Sequence, residues 1–212
     1  MKCDKKDLLL YAVTDRAWLR GRTLGECVRQ AIEGGATFIQ LREKNAPREE
    51  VIELARELLS LCQRANIPFV IDDDVDVALE VGADGVHVGQ DDTACADARR
   101  RLGPEAIVGV SAQTVEQALK AQADGADYLG VGALIPTPTK PDAVDVTWEE
   151  LQAICDAVDI PVVGIGGLNA QTIPELSGSA ADGAAVVSAI FAADDCRRAT
   201  YELREVCERT FR

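Results

Sequence analysis

ADGADYLGV, residues 123–131, is the stretch on which the fold turns. A helix-forming segment ends on a glycine, a small turn follows, and a short apolar run begins. The same device recurs as EGGATFIQL (33–41), EVGADGVHV (80–88) and AADGAAVVS (180–188). Glycine past a helix end supplies the left-handed backbone that stops the helix, and recurrence along a chain marks a repeating structural unit.

Outward from these stretches, short apolar runs alternate with amphipathic segments along the whole chain. We read strands at 8–14, 38–42, 68–72, 85–89, 107–111, 128–132, 161–166 and 184–189, separated by helical patterns such as REEVIELARELLSLCQRA and TVEQALKAQADG. Thr23 with Glu26, Thr114 with Gln117 and Thr147 with Glu150 have the spacing in which side chain and backbone cap each other at a helix start. Strict alternation calls for parallel strands joined by right-handed crossovers. Eight such strand and helix pairs close into a single-domain (β/α)8 TIM barrel of the α/β class, which needs at least about 200 residues; the chain has 212. An open doubly wound sheet fits less well, because the residues after the first strand are TDRAWLRG and not the glycine-rich dinucleotide turn. One domain over 1–212, with a short tail at 1–7, is the expected organisation.

Apolar residues make up 47% and aromatics only 4%, so the core is built from Val, Ile, Leu and Ala, the composition of a buried sheet flanked by helices. No run approaches the roughly 18 apolar residues of a membrane helix, and MKCDKKDLLLYAVTDR has no signal-peptide pattern. A cytoplasmic protein with no membrane partner is expected. The seven cysteines are odd in number and lack metal-type CxxC spacing, which reads as reduced, packed thiols. A net charge of −14 argues against a nucleic-acid partner. Whether the chain acts alone or as a homo-oligomer stays open at this stage.

In such barrels chemistry lies on the loops that leave the C-terminal ends of the strands. Strand 2 ends in QLREK, which puts Gln40, Arg42 and Lys44 at alternate positions on one face. Beyond the tail, the lysines are Lys44, Lys120 and Lys140, and two of these three follow strands 2 and 6. In so acidic a chain, an anionic ligand needs a local cluster such as Arg42, Lys44 and Lys140; solvated loop charges are the less favoured reading. Strand 3 ends in Asp72, Asp73 and Asp74, and strand 4 in GQDD with Asp91 and Asp92. Either group alone fits helix capping; two on neighbouring strands beside lysines suggest Mg²⁺ bridging to a diphosphate. Prolines 136, 138 and 141 restrict Thr137, Thr139 and Lys140, although a proline-rich loop alone is more often plain connection. GIGGLN and the Val187-Ser188 pair occupy the usual phosphate cradle of the fold. His87, the single histidine, reads as a satisfied core residue, with a role as acid or base the alternative; no Ser/His/Asp arrangement can be assembled from its apolar sequence neighbours.

The ordered set QLREK, DDVDVAL, GVHVGQDD, GVSAQT, PTPTK, VGIGGLN and VVSAI resembles the thiamine-phosphate synthase family over nearly the whole chain. The resemblance implies a transferase of thiamine biosynthesis that acts on small phosphate and diphosphate substrates. It would join 4-amino-5-hydroxymethyl-2-methylpyrimidine diphosphate to 4-methyl-5-(2-hydroxyethyl)thiazole phosphate, releasing pyrophosphate. It further implies that Gln40, Arg42, Lys44 and Lys140 bind the diphosphate, that Asp73 and Asp92 hold Mg²⁺, and that Ser111 lies near the reacting centre. Thr137, Thr139, Gly167, Val187 and Ser188 would surround the thiazole phosphate. Asp72 stands where the family commonly has Asn, and is expected to bind substrate while facing the metal or solvent. Ala133 and Ile135 also depart from the family pattern. A thiazole tautomerase (an isomerase) and a non-catalytic sensor barrel are the competing readings; retention of Lys44, Asp73, Asp92 and Lys140 together favours the synthase.

Overall fold

The structure is a computed structural model that describes residues 3–90, 93–136 and 145–211. Eight parallel strands close into a barrel in sequence order: β1 (Leu10–Val13), β2 (Phe38–Leu41), β3 (Phe69–Asp72), β4 (Gly85–Val88), β5 (Ile107–Ala112), β6 (Tyr128–Val131), β7 (Val162–Ile165) and β8 (Gly183–Val186), with β8 pairing back onto β1. Around it lie α1 (Leu24–Gly34), α2 (Arg48–Ala65), α3 (Val75–Val81), α4 (Cys95–Leu102), α5 (Val115–Ala123), α6 (Trp148–Ala157), α7 (Ser188–Phe191) and α8 (Cys196–Thr210).

The seventh crossover departs from the expected pattern. In place of a full helix it holds the 3-10 turn Ile173–Leu176, because Pro174 and the Ser177-Gly178-Ser179 sequence leave no uninterrupted helical run. All strands but β5, which runs one residue further to Ala112, are also shorter than their apolar runs suggested. The last one ends at Val186, where Val187 leaves the extended region and Ser188 opens α7.

Local signals set the helix ends. Thr23 with Glu26 and Thr147 with Glu150 form reciprocal caps. Thr114 accepts from the Gln117 amide, but the Gln117 side chain reaches the Gln113 amide instead of closing the box. Helices α1, α2 and α3 end on Gly35, Asn66 and Gly82 in the left-handed conformation.

Three of the four glycine stretches end a helix, as expected, whereas in the fourth Gly183 opens β8 after the 3-10 turn; all four also tie strands together. Thr37, Asp84, Asp127 and Asp182 each precede an even-numbered strand, and each side chain accepts an amide at the start of the odd strand before it, the first of β1, β3 and β7 and the second of β5. The acceptor distances are 2.9 Å from Leu10, 2.9 Å from Phe69, 2.8 Å from Val108 and 3.0 Å from Val162. The backbone amides of the same four residues donate in return to Leu10, Phe69, Val108 and Val162. These two-way latches fix the register at the barrel's lower rim.

The core has two compartments. The larger lies between sheet and helices; the smaller fills the barrel with Leu8, Tyr11, Phe38, Val70, Ile107, Tyr128 and Val163. Tyr11 packs on Phe38 at 4.5 Å between ring centroids, and Phe38 meets Tyr128 edge-on at 5.6 Å. Gly109 admits the Tyr128 phenol, since a Cβ there would lie 2.1 Å from the ring. Residues Lys5–Leu8, at the expected tail, form a 3-10 turn that seats Leu8 in this interior. All seven cysteines are free and five are buried, as packed thiols.

Asp127 also pairs with Arg99, whose guanidinium donates to the carbonyls of Gly103, Ala106 and Gly125. Asp127→Ala removes both the latch and the partner of a largely enclosed cation, so it should cost about 2–4 kcal/mol of unfolding free energy in urea. A loss below about 0.5 kcal/mol would show that the latch contributes nothing.

Candidate active site

Along each strand alternate side chains point into the barrel, and the two uppermost inward layers make the floor of a cavity. The first contains Gln40, His87, Gly130 and Ala185, and the second Val13, Asp72, Ser111 and Ile165; all eight line the same cavity. The walls come from the loops just above: Arg42, Lys44, Asp73, Gln113, Gly166, Gly167, Val187 and Ser188. The structure therefore gathers Gln40, Arg42, Lys44, Asp72, Asp73, Ser111, Gly167, Val187 and Ser188, as expected from the strand ends. Asp92, Thr137, Thr139 and Lys140 lie outside the described residues.

The loop after β2 is braced from β1. Thr14, fully buried, accepts the Arg42 amide at 3.0 Å and donates its own amide to the Gln40 carbonyl. Arg16 bonds Glu43 at 2.9 Å and also pairs with Glu50 at the start of α2. TDR after the first strand, which contributed only a negative argument to the sequence reading, thus holds the segment that carries both cations.

Asp72 turns to these cations, not to solvent. Its side chain is only 10% exposed, with Lys44 Nζ at 3.1 Å and Arg42 Nε at 3.7 Å. Lys44 bridges onward to Asp73. Burial works against the Lys44 charge, yet the Asp72 and Asp73 carboxylates outweigh it and hold the ammonium above its ordinary pKa. Burial likewise raises the Asp72 carboxyl, and the cations beside it offset this only in part. Asp73 adopts a left-handed backbone with φ 61°, its amide held by the His87 carbonyl at 2.8 Å. The third acid of the run has the capping role: Asp74 accepts the Val77 amide at the start of α3.

On the other arc, Gly166 and Gly167 have φ 98° and 66°, and a Cβ at either would collide with Ala133 or Ile135. Their glycine identity is thus required by packing against the loop that leaves β6, besides any approach to an anion. That loop is rooted at the cavity rim: Leu134 and Ile135 donate to Ile165 and Gly166, and Val146 donates to Ala133.

His87 is satisfied, as expected, but the arrangement around it was not foreseen. Its ring bonds Tyr128 Oη at 2.9 Å and Ser111 Oγ at 3.0 Å. Both partners are distant in sequence and become neighbours only because β4, β5 and β6 lie side by side. The available signal was the two-residue alternation that turns positions 87, 111 and 128 inward.

The sequence profile described as thiamine monophosphate synthase matches residues 10–190. The chain belongs to this family. Among curated members, the thiamine-phosphate synthase of Chloroflexus aurantiacus is 50% identical over 199 residues, covering 93% of this chain and 92% of that one. That of Clostridium tetani is 47% identical over 197 residues, covering 93% and 94%. The solved thiamine phosphate pyrophosphorylase from Pyrococcus furiosus superposes with a TM-score of 0.90 at 43% identity, covering 98% and 99%. A 3-hexulose-6-phosphate synthase, at 21% identity and a TM-score of 0.67, shares the barrel fold alone.

Within this thiamine monophosphate synthase barrel, the raised pKa of Asp72 has a defined sign. The folded chain binds the Asp72 proton more readily than the unfolded chain, so the stabilising contribution is complete below the ordinary carboxylate pKa and is lost as pH rises through the raised value. Asp72→Asn fixes the neutral form and should gain in Tm relative to wild type as pH climbs out of the carboxylate range. Calorimetry showing the variant falling progressively below wild type over that climb would reverse the assignment.

Proposed function

We propose that the protein is a thiamine-phosphate synthase, joining the pyrimidine diphosphate to the thiazole phosphate named above with release of pyrophosphate. The observation that carries this is the convergence of Arg42 and Lys44 with Asp72, Asp73 and Ser111 at one mouth of the barrel, in a chain whose match to the family spans residues 10–190. A diphosphate leaving group needs fixed positive charge, which a thiazole isomerase does not.

The chemistry needs no protein nucleophile. The bond between the pyrimidine methylene carbon and the diphosphate oxygen breaks, and its electron pair leaves with pyrophosphate. The thiazole nitrogen lone pair then forms the new carbon–nitrogen bond. Arg42 and Lys44 line the mouth where negative charge would grow on the leaving group, and with Lys140, which lies outside the described residues, they would stabilise the transition state more than the bound substrate. Gln40 and Ser111 orient the pyrimidine diphosphate, and Gly167, Val187, Ser188, Thr137 and Thr139 hold the thiazole phosphate, which makes the attack effectively intramolecular. The cavity floor, closed by packed side chains, restricts water from the cationic carbon.

The acids here fit a hard divalent cation, since they are carboxylates already gathered around one positive charge, the Lys44 ammonium. Among the described residues no three ligand-type side chains converge by themselves. Asp73 with Asp92 would hold Mg²⁺, which when bound would neutralise diphosphate charge.

Purified protein given both substrates should form thiamine phosphate and pyrophosphate, and EDTA should abolish the reaction until Mg²⁺ is restored. No product at saturating substrate would remove the synthase assignment, while full activity in EDTA would remove only the metal. Lys140→Ala should lower kcat by well over tenfold, the equivalent of about 1.4 kcal/mol of transition-state stabilisation. An unaltered kcat would place Lys140 outside the reaction.

A further inference from the structure

A line of four side chains runs from the barrel interior to the cavity floor. Tyr11 Oη lies 2.8 Å from Tyr128 Oη, Tyr128 Oη 2.9 Å from His87 Nδ1, and His87 Nε2 3.0 Å from Ser111 Oγ. Distance alone does not tell which atom donates in each link, but the buried end decides all three. Tyr11 is 2% exposed, and among the described residues Tyr128 Oη is the acceptor its hydroxyl reaches. A buried O–H with no acceptor bears its full desolvation cost, so Tyr11 donates to Tyr128.

The polarity then propagates. The Tyr128 proton is turned toward Nδ1, which must be bare to accept it. A neutral imidazole with bare Nδ1 carries its hydrogen on Nε2, and Nε2–H donates to Ser111 Oγ. Ser111 thereby accepts from the ring, and its own proton points away from the ring into the cavity. The opposite polarity would strand the Tyr11 proton. Burial raises both phenols well above their ordinary pKa, so neither is deprotonated near neutrality. Gln90 Nε2 donates to the Ser111 carbonyl at 2.6 Å and steadies the backbone while the ring orients the hydroxyl.

We propose that His87 is a positioning residue whose tautomer, set by Tyr11 and Tyr128, makes the Ser111 hydroxyl a standing donor toward the departing diphosphate. The destination of that donor rests on the synthase assignment; the tautomer does not.

His87 is the single histidine of the 212 residues, so one imidazole spin system reports it once any purification tag is removed. Nitrogen NMR of the ring in the full chain is expected to show a protonated Nε2 and a bare Nδ1. A protonated Nδ1, or a rapid mixture of the two tautomers, overturns the proposal even if thiamine phosphate is formed. Tyr128→Phe should release the tautomer and lower kcat about fivefold, the value of one hydrogen bond, with KM for both substrates unchanged. His87→Gln, which keeps an N–H near the Nε2 position, should retain more kcat than His87→Asn. An unchanged kcat in Tyr128→Phe, or equal rates for the Gln and Asn variants, defeats the positioning role. Absence of thiamine phosphate from the wild-type protein would instead defeat the synthase assignment and leave the tautomer result standing.

Discussion

A closed barrel must satisfy the first amide of every strand at its lower rim, where buried backbone donors without partners are costly. Thr37, Asp84 and Asp182 meet that demand for β1, β3 and β7, the Asp84 carbonyl meets it for β5 and Asp127 takes the next amide there, so that side chain and backbone tie each odd strand to the even one that follows. Everything above inherits this register. With the latches in place, Phe38, Gly85, Tyr128 and Gly183 begin their strands inside the barrel, and two residues higher come Gln40, His87, Gly130 and Ala185. Because side chains alternate, a slip of one residue would exchange interior and exterior and disperse the cavity floor.

The cations at the mouth are kept together in the ligand-free chain by acids. Arg42 and Lys44 repel one another, and Asp72 lies against both. An arriving diphosphate meets side chains that are already assembled, so less conformational entropy is lost on binding. The cost falls on Asp72, whose carboxyl is buried with incomplete compensation.

The alternation of elements, the caps at Thr23 and Thr147 and the glycine at the end of α1 were legible because each depends on residues within a few positions of one another. The strand-end rule also found Gln40, Arg42, Lys44, Asp73 and Ser111, since the fold class alone says which end of a strand faces the cavity. What stayed hidden depends on packing across strands. Tyr11 meets Tyr128 over 117 positions and His87 meets Tyr128 over 41, and no local pattern announces either. Asp72 was expected to face metal or solvent because an acid stands where the family commonly has an amide; its pairing with Arg42 and Lys44 depends on another strand's loop. The seventh helix was counted from the rhythm of the repeat, which Pro174 and Gly178 interrupt.

Leu8, seated in the interior by its 3-10 turn, acts as a stopper at the lower end of the cylinder. Among the described residues the cylinder is thus filled at that end, and the cavity opens at the other. Two reactants and two products must then share one route, and whichever molecule settles deepest enters first and departs last, so the order of traffic follows from the plug as much as from the groups around the opening.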